Sequence, residues 1–562
     1  MKRWVAAAGV LLALAVSVLF VARDYIQLHL AGWLAPAIAQ NHVVVWQQGP
    51  LLAPSGKRSP NVILILADDL GYNDISFNGG GVAGGLLKTP NIDALGREGV
   101  SFSNGYAGNA TCAPSRAALM TGRYATRFGY EFTPTDTHPP AWFPSHLIRL
   151  DAVFARNIAT FPSTWEHKAW FDEDAARAPA FAGEKGMPHS EITIAKLLHD
   201  RGYHTMHLGK WHLGEARGMR PEEQGFDESL GFMIGGQKYL PTDDPNVENS
   251  KQDFDPIDKY LWANLPFSVQ FNGSPRFHPG RYMTDYLTDE AVAGIRANRG
   301  RPFFMYLAYN APHTPLQALK SDFDALPQIK DHRTRVYAAM IRALDRGVGR
   351  VISEIKAQGL DRDTIVIFTS DNGGAHYIGL PGINRPYRGW KATFFEGGTH
   401  VPFFIRWPGR IALATRVDAP VSHFDIFATA GAAAGSAMPA DRAIDGVNLL
   451  PFVDGSAHGP PHAALFWRSG AYRVVRAGNW KLQALELPHK VLLYDLDVDP
   501  TERHDLAALR PTKVAELMAL LRQHDSEQRP PAWPALIHSP IPIDRPLGTR
   551  PVANEEYVYW AN

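Results

Sequence analysis

Hydrophobic and polar positions change rhythm several times along the chain. NVILILA (61–67) is apolar after its first residue, the pattern of a strand covered on both faces. YHTMHL (203–208), FFMYLAY (303–309), TIVIFTS (364–370) and PFFIRW (402–407) read as strands too. Between them the apolar period lengthens to that of helices: TPNIDALGREGV (89–100), with Thr89 as its cap, EITIAKLLHDRG (191–202) and TRVYAAMIRALDRGVGRVISEIKAQG (334–359). Alternating strands and helices predict an α/β fold, a large, mostly parallel central sheet sandwiched by helices, over residues 60–435. From about residue 440 to 530 the pattern predicts a smaller α+β subdomain. LFWRSGAYRVVRAGNWKLQAL and KVLLYDLDVDP supply its antiparallel strands, and PTKVAELMALLRQHDSEQ (511–528) an amphipathic helix. The proline-rich tail, 531–562, is predicted to be poor in strands. Residues 131–190, rich in Pro, Trp and His, show no clear period and read as an insertion.

The first 40 residues form a separate unit. Trp4 to Ala22 is 19 residues without a charge, flanked by Lys2, Arg3 and Arg23. As a helix this run would be roughly 28 Å long, close to the roughly 30 Å hydrocarbon core of a bilayer. A cleaved signal has a shorter apolar stretch and a cleavage site directly after it, whereas Ala37-Ile38-Ala39 lies well beyond this run. The expectation is an uncleaved anchor rather than a removed signal. Lys2 and Arg3 keep the N-terminus cytoplasmic and the remainder periplasmic. Lysine plus arginine equals aspartate plus glutamate at 56 each, so no net field favours nucleic acid.

The chemistry lies where strands end. DDLGYND follows the first strand, GKWHLG the second, NAPHTP the third and DNGG the fourth. In open α/β sheets ligands bind beyond the carboxyl ends of the strands. Four strand ends therefore deliver Asp68, Asp69, Lys210, His212, His313, Asp371 and Asn372 to one edge. Asp68, Asp69, Asp371 and Asn372 offer only oxygen, which selects Ca²⁺ or Mg²⁺ over zinc or copper. With Lys210, His212, His313 and Lys391 around such an ion, the site suits a sulfate or phosphate ester. Cys112 is the single cysteine, so it has no disulfide partner within the chain. Pro114 and the residues after it predict a helix that begins at Cys112, with Arg116 one turn along; that position would acidify a thiol. A thiolate is nevertheless a poor companion for a hard cation, and the site calls for an oxygen nucleophile.

CAPSRAALMTGR (112–123) resembles the signature of the type I sulfatases, in the alkaline phosphatase superfamily. The resemblance extends over roughly residues 60 to 525, through ADDLGYND, GKWHLG, HTP, SDNGG, WKATFFEGGTHVPFFIRWPG and DGVNLLP. It implies that a maturase converts Cys112 to Cα-formylglycine, whose hydrate supplies the oxygen nucleophile. It also implies Ca²⁺, in preference to Mg²⁺, on Asp68, Asp69, Asp371, Asn372 and the formylglycine oxygen. Arg116, Lys210 and Lys391 would hold the sulfate, His313 would protonate the leaving oxygen, and Asp371 would serve as base. His212 would then assist release of sulfate from a sulfated hemiacetal. The stretches WKATFFEGG and GFDESLGFMIGG most resemble arylsulfatase B-like members, which implies an aryl or sulfated-sugar ester. Some members have a sulfate-assisting serine where this chain has Gly235 and Gly236. The alternatives are a phosphonate monoester or phosphodiester hydrolase of the same superfamily, and a non-catalytic, membrane-tethered sulfated-glycan-binding protein.

Overall fold

A computed structural model of the chain describes residues 22–40, 42–51, 58–134, 167–177 and 185–562. Nine strands make the central sheet: β1 (Asn61–Ala67), β2 (Val100–Phe102), β3 (His204–Lys210), β4 (Glu228–Phe232), β5 (Gln270–Phe271), β6 (Phe303–Ala308), β7 (Thr364–Ser370), β8 (Phe403–Arg406) and β9 (Thr415–Val417). Their order is β9-β2-β8-β7-β1-β6-β3-β4-β5. The five from β7 to β4 run parallel, while β8 is antiparallel to β7 and β5 to β4. Strands β1, β3, β6 and β7 are buried along their whole length, as parallel strands covered on both faces must be. On one face Ile63, Ile65, Met305 and Phe368 pack in a cluster with Met340 and Leu344 of helix α4 (His332–Ala357). On the other, Val62, Leu64, Phe304 and Ile367 pack with Ala117 and Met120 of α2 (Cys112–Thr121).

Strand register brings the site together. Ala67 pairs with Ser370, Leu66 with Ala308, and Ala308 with Gly209. Asp68, Lys210 and Asp371 therefore emerge at one level of one edge. The strand expected at 203–208 runs instead over His204–Lys210, so Lys210 is its last residue. An apolar-run reading stops at Leu208, but Gly209 continues the strand. Its φ of 101° is open to glycine, and a Cβ there would fall 1.9 Å from the Ala308 carbonyl oxygen. Thr89 stands at the N-cap of the helix Pro90–Arg97, but its side chain bonds none of that helix's amides. Its hydroxyl accepts from the Ser76 amide at 2.8 Å and donates to Asp93 at 2.7 Å.

Beyond residue 440, strands β10 (Ala464–Ser469), β11 (Tyr472–Ala477), β12 (Trp480–Leu485) and β13 (Lys490–Asp495) form an antiparallel sheet. Leu517 and Leu521 of α5 (Pro511–Ser526) cover one face through Val475, Leu482 and Leu493. Trp467, Val474 and Tyr494 join the main core. The tail corrects the sequence reading. β14 (Ile537–Pro542) pairs with β15 (Tyr557–Ala561), and its first two residues pair with the short strand Trp170–Phe171. Ile537 and Asn562 exchange backbone hydrogen bonds and the Ile543 amide bonds Glu556, so odd-numbered residues carry the β14–β15 ladder. Pro540 and Pro542 fall between those positions, where a missing N–H breaks no bond of that ladder.

Near the N-terminus, α1 (Arg23–Leu34) lies on α3 (Pro256–Asn264). The Asn264 side chain fastens the pair: its amide donates to the Leu28 carbonyl and its oxygen accepts from the Gly32 amide, both at 2.7 Å. The expected anchor, residues 4–22, lies outside the described residues except for Ala22, and among the described residues no helix is long and apolar enough to cross a membrane. Much of the expected insertion, 135–166 and 178–184, also lies outside them.

Candidate active site

All ten residues singled out in the sequence meet at or beside the carboxyl edge of the sheet. Asp68 and Asp69 follow β1, and both Asp68 carboxylate oxygens accept from the Lys210 ammonium, at 3.0 and 2.7 Å. Asp371 follows β7; one of its oxygens accepts from the Asp69 amide at 3.1 Å and the other from Arg116 Nε at 2.9 Å. Lys391 reaches Asp69 at 2.8 Å and the Cys112 sulfur at 3.1 Å. The His313 ring lies 3.6 Å from Asp69 and is oriented through Nδ1 by the Thr314 carbonyl at 2.5 Å. Three carboxylates thus face three fixed cations, and the cluster is neutral by itself. Asp68, Asp371, Asn372, Arg116 and Lys210 are completely buried.

Cys112 begins α2, with Thr111 before it, and Gly122 ends the helix at φ 68°. The expected acidification of the thiol does not occur. Burial pushes it up, and Asp371 adds to this against the pull of Lys210 and Lys391. Arg116 does not serve the thiol either. Its guanidinium is spent on Asp371, the Lys210 carbonyl at 3.0 Å and the Tyr306 hydroxyl at 3.3 Å. Burial would raise Asp371, but Arg116 and Lys210 hold it down to about 2, so it is a weak base as it stands. Burial lowers both His212 and His313; Lys210 lowers His212 further, while Asp68 and Asp69 pull His313 back up.

The donor set fits a hard divalent cation. Asp68, Asp69, Cys112 and His313 each offer a ligand atom within 4.8 Å of the others. Asn372 donates to Asp69 at 2.8 Å, and its own side-chain oxygen is buried without a hydrogen-bond partner. A buried carbonyl oxygen left without a donor is costly unless a cation takes it. The geometric group contains His313, which the sequence reading kept for the leaving oxygen, and lacks Asp371, whose carboxylate is engaged by Arg116. Gly235 and Gly236 lie against the two histidines: a Cβ on Gly235 would stand 3.0 Å from the His212 ring, and one on Gly236 3.5 Å from that of His313.

Two participants were not foreseen. Tyr377 donates its hydroxyl to Asp69 at 3.1 Å, and Tyr306 accepts from Arg116. Tyr306 sits inside an apolar strand run and Tyr377 in a single 3₁₀ turn, His376–Ile378, so neither carried a local signal. Above the cluster opens a cavity of about 600 Å³ whose lining includes Cys112, His212, His313 and Lys391.

A family model described as Sulfatase matches residues 60–436. The chain belongs to the sulfatase family. It is a sulfuric ester hydrolase. Mouse N-acetylgalactosamine-6-sulfatase is 32% identical to this sulfatase over 79% of the chain and 75% of the relative. Mouse steryl-sulfatase is 31% identical over 76% and 70% respectively. Among solved structures, Ps i-CgsB in complex with k-i-k-neocarrahexaose superposes with a TM-score of 0.68 at 31% identity, covering 85% of this sulfatase and 95% of that chain.

Proposed function

We propose that this sulfatase hydrolyses a sulfate ester of an aryl alcohol or a sugar, with an oxygen nucleophile derived from Cys112. The observation that carries the reading is the position of the Cys112 side chain, 3.1 Å from Lys391 and 3.6 Å from Asp68, among groups built to hold a cation and an oxyanion. Conversion of Cys112 to formylglycine by a maturase would put a hydrated aldehyde where a thiol disagrees with its surroundings. Asp68, Asp69, Asp371 and Asn372 would hold Ca²⁺, which supplies Lewis-acid charge at the sulfate oxygens and at the nucleophile.

The chain's own groups do the remainder. Lys210, Lys391 and Arg116 offset the charge of the sulfate as the ester bond breaks, each worth on the order of 10²–10³ in rate. His313, fixed by the Thr314 carbonyl, protonates the departing alcohol oxygen. It needs a proton to do so, and an anionic ester raises the affinity of the imidazole for it. His212 is left neutral by burial and by Lys210, and serves as the base that frees sulfate. Residues 4–22 would anchor the enzyme to the inner membrane, with its catalytic part outside. The helix that follows exposes Tyr25 and Trp33, residue types that collect at membrane–water interfaces.

The test is the mass of the tryptic peptide Glu98–Arg116 from protein co-expressed with a formylglycine-generating enzyme. The same sample is assayed on an aryl sulfate with and without a Ca²⁺ chelator. The expected result is an aldehyde or its hydrate at position 112 and turnover that the chelator abolishes. An intact thiol in a protein that still turns over would remove the nucleophile from this account.

A further inference from the structure

Beneath the reacting centre α2 is joined to β7 in two ways. One tie is charged: Arg116 Nε and Nη2 lie 2.9 and 2.8 Å from one oxygen of Asp371. The other is neutral. The ring of His423 stands between the two elements, with Nδ1 3.2 Å from the Ser115 hydroxyl and Nε2 3.1 Å from that of Thr369. Ser115 directly precedes Arg116 in α2, and Thr369 continues the strand face of Ile365 and Ile367, which packs in one cluster with Ala117 and Met120. Ser115, Thr369 and His423 are completely buried, and none of them lines the cavity. A neutral imidazole has one N–H and one bare nitrogen, and each hydroxyl can donate or accept, so both bonds form in either tautomer. Burial lowers the ring to about 3, which keeps it uncharged at neutral pH. The backbone that carries it is fixed as well. Its amide donates to the Tyr106 carbonyl at 3.0 Å, its carbonyl accepts from the Ile426 amide at 3.1 Å, and the Ser422 amide donates to Asp425 at 2.7 Å.

We infer that His423 is a positioning residue: it holds the helix of Cys112 and Arg116 against β7 when Arg116 turns from Asp371 to the sulfate. The inference rests on the proposed reaction, which asks Asp371 to hold a cation and Arg116 to offset the charge of the ester. Both demands draw on the ion pair that joins these two groups here. As that pair loosens, the neutral tie is untouched, because neither the imidazole nor the two hydroxyls are drawn to an ion. Reacting groups have to be held to within about 0.5 Å of their productive geometry. Since α2 carries both Cys112 and Arg116, any shift of the helix displaces nucleophile and cation together.

The test uses Thr369→Val, which keeps the shape of the strand residue and removes one end of the tie. His423→Asn keeps an amide where Nδ1 stands and loses the Thr369 end, and His423→Gln does the reverse. Each variant is matured, and kcat is expressed per converted site from the mass of the peptide Glu98–Arg116. On an aryl sulfate kcat should fall roughly 10- to 100-fold, as for reacting groups misplaced by up to about 1 Å, while KM changes less than about threefold. Thr369→Val added to His423→Asn should cost less than about twofold more, because that end is already lost. The pH–rate profile should keep its shape, since the ring changes no charge. In crystals of unconverted Thr369→Val soaked with CaCl₂ and sodium sulfate, α2 should lie about 0.5 Å or more from its place in the parent protein under the same soak. Unchanged kcat in the variants, a shifted limb of the pH profile, or a fall in kcat with α2 unmoved overturns the inference and leaves the sulfatase reading standing. A displaced α2 in the soaked variant, beside a matured parent enzyme that hydrolyses no sulfate ester, supports the tie and refutes the proposed hydrolysis.

Discussion

Asp69 and His212 face the reacting centre from left-handed backbone, at φ 61° and 59°. Such conformations cost of order 1–3 kcal/mol in a non-glycine residue and persist where the surroundings hold them. Here the Asp69 amide is held by Asp371, and the His212 amide by the Met233 carbonyl at 3.0 Å. Gly235 keeps the space beside the His212 ring open. Gly235→Ala should therefore push that ring by a few tenths of an ångström and lower kcat by roughly tenfold. KM should change little, as steady-state kinetics on an aryl sulfate would show. At this scale the sequence was informative because strand ends announce themselves: an apolar run followed by Asp-Asp, Lys, or Asp-Asn says where side chains emerge. It said nothing of how those side chains pair. That Arg116 engages Asp371 rather than the thiol depends on the burial of all three, which no local pattern carries.

Helix α2 was legible from its punctuation, since Pro114 suits a first turn and Gly122 a left-handed stop. The tail strands were not, because proline argues against a strand unless the register that excuses it is known. Helix α3 is a further case. Asp255 caps it, accepting from the amides of Ile257 and Asp258 at 3.1 and 2.8 Å. Burial nevertheless pushes the Asp255 carboxyl up to about 8, with Asp258 beside it pushing the same way. A carboxyl raised in the folded state stabilises fully below its unfolded value of 3.8, and that contribution is lost as pH rises towards about 8. Asp255→Asn keeps an acceptor at the cap and removes the charge. It should raise the thermal midpoint at pH 8 and leave it nearly unchanged at pH 4, as paired melting curves would show.

At the scale of the molecule, the C-terminal sheet is welded to the catalytic part by a buried charge. Lys481 is fully buried, 2.7 Å from Glu396 and 3.1 Å from Glu502. Glu396 also accepts from the Tyr106 hydroxyl at 2.6 Å, and Tyr106 lies among the residues of the main core. Lys481→Ala would leave two buried carboxyls without their cation, at a cost of about 3–5 kcal/mol. The expected readout is an unfolding midpoint in urea shifted to lower concentration. The α/β class and the site edge followed from the alternation of strands and helices. The closure of the cavity did not, because its walls come from positions as distant as Leu34 and Trp560, whose proximity only the folded chain creates.

That closure also bears on the order of events during biosynthesis. In the folded chain Cys112 is only 4% exposed, at the bottom of a cavity walled by α1, α3 and the tail. A second enzyme needs its target as an extended segment it can grip, and the finished fold has no such segment at this position. On the proposed conversion of Cys112, oxidation of the thiol would have to precede folding, and a chain that folded first would keep its sulfur.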